Sequence, residues 1–153
     1  MALNIKRARD LPTIPLKSWR DIGDFASIRI RKLIRGGILK GKYSKGYAEA
    51  KSSRKAGGGA SITSTNTSFV DLTLTGKMLG ELKTTKVGEN FVRIGLSGFN
   101  AEKAESNARR GYDLFDNKVL RSVEVDIIQR IDRRVDSNVK KYERDSIDIN
   151  IGK

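Results

Sequence analysis

Thr84-Thr85-Lys86-Val87-Gly88-Glu89-Asn90-Phe91-Val92-Arg93-Ile94-Gly95-Leu96-Ser97 reads as two strands, 84–87 and 91–97, joined by a turn at Gly88-Glu89-Asn90. Val92, Ile94 and Leu96 alternate with Arg93 and Gly95, the period-two pattern of a strand with one packed and one more exposed face. Upstream, Phe69, Val70 and Leu72 predict a short strand. Thr73 or Thr75 then caps a predicted helix running to about Leu82, with Leu74, Met78, Leu79 and Leu82 as its buried stripe. Downstream, residues 100–110 predict a short helix with a narrow face of Ala101, Ala104 and Ala108, stopped by Gly111 and followed by an apolar plug of Tyr112, Leu114 and Phe115. A hairpin enclosed by helices places the chain in the α+β class.

Two longer helical patterns flank this centre. From residue 16 to about 35, Trp19, Ile22, Ala26, Ile30 and Leu33 recur every three or four positions, with Phe25 and Ile34 widening the stripe. Arg20, Arg29, Arg31, Lys32 and Arg35 take the other faces, and Gly36-Gly37 ends the helix. From 117 to about 143, Leu120, Val123, Ile127, Ile131, Val135 and Val139 define the longest helix. At about 1.5 Å per residue it would reach roughly 40 Å, more than one small core needs. The expected architecture is therefore a small β-sheet or hairpin packed by an N-terminal helix, a short central helix and a long C-terminal helix, with a long polar loop at 38–68. Residues 1–15 read as an N-terminal arm with Pro12 and Pro15, 16–144 as a single domain, and 145–153 as a tail. In that tail Ile147, Ile149 and Ile151 alternate like an edge strand or fray as a terminus.

The 153-residue chain carries a net charge of +13 that is unevenly placed. Residues 1–60 hold 15 Lys/Arg against 4 Asp/Glu, 61–99 hold 4 against 3, and 100–153 hold 12 against 11, so the first 60 residues supply +11 of the surplus. Such a bias favours contact with nucleic acid or an acidic protein surface, or it is simply a solvated basic face. Within the polar loop, Tyr43 and Tyr47 interleave with Lys42, Lys45 and Lys51, and Lys40, Arg54 and Lys55 extend the group. Aromatics stack on bases and lysines neutralise phosphate; a solvated loop anchored by two tyrosines is the plainer reading.

With no cysteine and no histidine, disulfides, thiolate chemistry, Cys/His zinc sites and His-dependent triads are excluded. Gly76-Lys77 is followed by Met78, and Gly57-Gly58-Gly59 lacks a Gly-Lys-Ser/Thr ending, so no phosphate loop is present. The carboxylate pairs Asp113 with Asp116 and Asp132 with Asp136 lie among arginines, where ion-pair partners are commoner than metal or acid–base sites. No run approaches the roughly 18 apolar residues of a membrane span, and the start of the chain lacks the apolar core of a signal peptide. The composition points to a non-enzymatic protein without cofactors, made in the cytoplasm.

The order of parts resembles the tail-completion or virion-morphogenesis family of tailed bacteriophages, which includes tail-terminator-like, head–tail joining proteins. The resemblance covers 47–120 and rests on order and spacing. Tyr47 and Lys51 match a Tyr-x-x-x-Lys segment, Leu74-Thr75-Gly76-Lys77-Met78-Leu79 a Leu-Thr-Gly helix, and Val92-Arg93-Ile94-Gly95 the end of a hairpin. The segment 101–107 leading to Gly111, and then Leu114-Phe115, complete the series. Two departures stand out: Asn107-Ala108-Arg109-Arg110-Gly111 replaces a His-x-Phe-Gly-Gly segment, and the C-terminal helix is longer. The resemblance implies a ring-forming terminator or connector subunit of the neck, commonly hexameric, found in the virion and in host cytoplasm during assembly. Its partners would be further copies, other neck and tail proteins, and DNA passing through the channel. The extra helix length suggests Val135, Val139, Tyr142, Ile147 and Ile149 as a subunit interface. The alternative is a basic DNA- or RNA-binding protein without catalysis.

Overall fold

A computed structural model describes residues 2–6, 15–39, 41–54, 64–72, 76–89 and 91–150, with side chains throughout except at 2–6 and 138–150. The chain runs β1 (Ala2–Lys6), α1 (Leu16–Arg35), α2 (Lys45–Ser52), α3 (Lys77–Gly80), β2 (Lys83–Gly88), β3 (Phe91–Gly95), α4 (Gly98–Arg109) and α5 (Asn117–Asn150). This is a small α+β fold.

The sheet is antiparallel in the order β1-β3-β2. The hairpin of β2 and β3 lies where the alternation predicts it, with Val92 and Ile94 fully buried and Arg93 exposed. The third strand comes from the segment read as an arm. Ala2–Lys6 pairs along β3 from Ala2 opposite Gly95 to Lys6 opposite Phe91, and its own alternation, Leu3 and Ile5 against Asn4 and Lys6, is the signal that marks it. The remainder of the expected arm, 7–14, lies outside the described residues.

Helix α1 covers the sheet with the face its spacing dictates, burying Trp19, Ile22, Ala26, Ile30 and Ile34. The Trp19 indole also donates to the Glu89 carbonyl at 3.0 Å, tying the helix start to the hairpin turn. One turn on, Gly23 lets helix and sheet approach closely, since a Cβ there would meet Thr84 and lie 2.6 Å from Val92 Cγ2. Overpacking costs about 1–3 kcal/mol against a helix-propensity gain of about 1 kcal/mol. Gly23→Ala is therefore expected to lower stability by up to about 2 kcal/mol and Gly23→Val by more, read as a shift of the urea midpoint. At the far end Gly37 takes φ 84°, and Gly37 and Ile38 donate to the carbonyls of Ile34 and Leu33, closing the helix in a Schellman motif. Helix α4 closes the same way at Gly111, with Tyr112 N–H donating to the Asn107 carbonyl.

Three expectations differ from the structure. Residues 69–72 form no strand, because Leu72 stands at φ 47° and extended backbone cannot pass through it. The helix expected to run from a threonine cap to Leu82 is the single turn α3, whose N-cap is Gly76 at φ 73°. Met78, Leu79 and Leu82 are nevertheless buried, while Thr73, Leu74 and Thr75 lie outside the described residues. The tail, read as an edge strand or a frayed terminus, is helical as far as Asn150, since extending an existing helix by a residue costs less than nucleating a new element.

At 34 residues α5 is about 51 Å long. Asp116 caps it by accepting the Lys118 N–H at 2.8 Å, and Asp113 accepts the Phe115 N–H at 2.8 Å in the preceding turn. That pair therefore serves the backbone. Val119, Val123 and Ile127 enter the core, and three contacts zip α5 antiparallel along α1. Arg29 meets Asp126 at 2.8 Å, the Arg130 guanidinium lies 4.5 Å from the Phe25 ring centre, and Arg134 meets Asp21 at 3.2 Å. Each rung steps four residues back on α1 and four forward on α5. The two ion pairs are half exposed and contribute little individually; their value lies in fixing the register of the two helices.

Candidate functional site

The described parts of the polar segment 38–68 are organised around one carboxylate. Tyr43 precedes α2, Lys51 sits in its last turn, and both converge on Asp71 from across the loop. Lys51 is wholly buried, and its Nζ lies 2.6 Å from Asp71 Oδ1. The Tyr43 hydroxyl donates to the same oxygen at 2.8 Å while accepting the backbone N–H groups of Asp71 and Leu72 at 3.2 and 3.1 Å. Ser64 donates to Asp71 Oδ2 at 2.6 Å. Lysine amine, phenol and serine hydroxyl thus fasten residues 43, 51, 64 and 71 into one knot, and the Leu72 backbone is held at its left-handed φ by the hydroxyl that receives its N–H. A buried lysine needs a partner charge, and here it has one.

Of the residues expected to touch nucleic acid or an acidic partner, the structure removes Lys51 from any such surface. It is buried because its charge is matched by Asp71, twenty positions along the chain. Tyr43 is half-buried and its ring lies 5.0 Å from that of Tyr47, so the two tyrosines face one another, with the Lys51 amine 4.6 Å from the Tyr43 ring centre. Tyr47 retains 39% of its surface, and Lys42, Lys45 and Arg54 are exposed. Lys40 and Lys55 lie outside the described residues. Sequence spacing does not reveal the role of Asp71, although an acidic residue beside the apolar Val70 and Leu72 is the signal that could have suggested it.

Burial first, then the hydrogen bond to Asp71 and its charge, holds the Tyr43 phenol well above its usual range. Burial and the Asp71 charge raise Tyr47 as well. The folded protein therefore keeps these protons more tightly than the unfolded chain, so this stability is fully present below about pH 10 and is lost as pH rises beyond it. In an alkaline titration, Tyr43 should ionise only as near-ultraviolet dichroism disappears. Phenolate absorbance accounting for all four tyrosines while the fold persists would contradict this.

The expected subunit interface divides in two. Val135 is half-buried against the chain's own core beside Ile131, whereas the side chains of Val139, Tyr142, Ile147 and Ile149 lie outside the described residues on a helical backbone. A second basic surface comes from α1, where Ile28, Arg31, Lys32 and Arg35 line an open concavity of about 350 Å³. Arg31 donates to the Gly80 carbonyl at 3.3 Å, while Lys32 and Arg35 pair with no carboxylate among the described residues. No group of three or more acidic residues there is arranged to hold a metal, and no described helix is long and apolar enough to cross a membrane. Against protein-family models, curated proteins and solved structures, the chain has no match.

Proposed function

We propose that the protein is a structural subunit of a tailed-phage neck, completing the tail or joining head to tail as a member of a ring. The reach of α5 is the observation that carries this reading. Its rungs with α1 place the start of that helix opposite about residue 139, yet α5 continues to Asn150. The apolar spacing continues too, from Val135 to Val139, Tyr142 and Ile149, so a stripe fit for packing extends past the helix that covers about its first two-thirds. A neighbouring subunit is the natural acceptor of such a projection. The order of helix, polar segment, hairpin, short helix and long helix supports the same reading through the family resemblance.

Two measurements test it. Native mass spectrometry should find closed oligomers, or a monomer that orders on a connector, and particles assembled without the protein should show separate heads and tails in negative stain. Normally joined particles would end the proposal. Binding of DNA or RNA is the second reading, favoured by the concavity that presents Lys32 and Arg35. It requires affinity that falls steeply with salt and drops further in a Lys32→Ala, Arg35→Ala variant. Binding insensitive to both would remove it.

A further inference from the structure

The geometry points to the outer face of α5 as a self-pairing surface, on which a second copy of this chain docks antiparallel across a two-fold axis level with Asp126 and Ile127. Arg121, Val125, Ile128 and Asp132 follow one another at helical spacing along the side turned away from the core residues Val123 and Ile127. All four are exposed, Val125 keeping 59% and Ile128 50% of their surface. The charges on the side towards α1 are spent, since Asp126, Arg130 and Arg134 form the rungs of the zipper. Arg121 and Asp132 instead have no ion pair among the described residues.

These four positions form a stripe that is self-complementary in one orientation only. Two apolar residues sit at its centre, with a cation four residues before and an anion four residues after. Laid antiparallel on its own copy, Val125 meets Ile128 of the second chain, and Arg121 meets its Asp132. The two-fold axis repeats every contact. Glu124 falls opposite Gln129, so no like charges face each other. A parallel arrangement would set Arg121 on Arg121 and Asp132 on Asp132, and repulsion disfavours it. The contact is isologous and closes at two, so it differs from the head-to-tail contact of a ring and uses a different stretch of α5. Its four-residue stripe is far short of the roughly 20–30 residues a side of a standard interface, which makes it a weak association.

Sedimentation equilibrium of the full chain, from micromolar to near-millimolar concentration, tests the proposal. The expected result is reversible pairing, either of subunits or of whole rings. Arg121→Glu and Asp132→Arg should each weaken it by about tenfold or more, Val125→Asp should abolish it, and circular dichroism should show unchanged helix because all three positions are exposed. Arg121→Glu and Asp132→Arg combined in one chain should restore pairing, because the exchanged charges meet again across the axis. The proposal is overturned if no pairing occurs, if pairing survives Val125→Asp, or if the combined variant fails to recover. None of these outcomes bears on whether α5's far end builds a ring.

Discussion

Lys51→Met is expected to lower the unfolding free energy by about 3–5 kcal/mol, and Asp71→Leu by a similar amount, because either change leaves a buried charge without its partner. That is a large share of the roughly 5–15 kcal/mol available to a domain. Lys51 is wholly buried and the Asp71 side chain keeps 5% of its surface, at a separation of 2.6 Å. Solvent therefore cannot replace the missing partner. The two substitutions together should recover at least half of the loss, since an apolar pair of similar volume needs no compensation. Recovery should be incomplete because Ser64 and Tyr43 also donate to that carboxylate. Urea titrations of the two single variants and the double variant give the coupling directly. Single effects below about 1 kcal/mol, as for exposed ion pairs, would show that water reaches the pair.

The second large effect concerns assembly. A chain ending at residue 137 keeps every rung of the α1–α5 zipper, the last being Arg134 with Asp21, and keeps Val135. If the far end of α5 builds the proposed ring, this chain should fold with a melting temperature close to that of the full chain yet form no rings. Thermal denaturation and native mass spectrometry of the same preparation separate the two properties. Rings assembled from the shortened chain would place the ring contact elsewhere and remove the projecting helix as its source.

What the sequence discloses about this fold follows the range of the interactions involved. The bounds of α1 and the positions of the hairpin strands are legible because Trp19, Ile22, Ala26 and Ile30, or Val92 and Ile94, each answer to a period within one element. The start of α5 is legible for the same reason. Lys51 is not: nothing near it in the chain distinguishes it from the exposed Lys42 or Lys45, and its burial depends on a carboxylate twenty residues on. The end of α5 is not legible because isoleucines at 147, 149 and 151 alternate as an edge strand or a frayed terminus would, whereas the backbone stays helical as far as Asn150. The single turn of α3 is set by the left-handed conformations at Leu72 and Gly76, which a stripe of leucines does not reveal.

The pairing of Ala2–Lys6 with Phe91–Gly95 has a consequence for synthesis. Ala2–Lys6 leaves the ribosome about ninety residues before its only sheet neighbour among the described residues, a delay of roughly 4 to 18 seconds at about 5–20 residues per second. Throughout that interval its Leu3 and Ile5 have no ladder to join, and a contact of such high order forms late and slowly. The Ala2–Lys6 strand should therefore be the last piece of the described sheet to gain protection from hydrogen exchange.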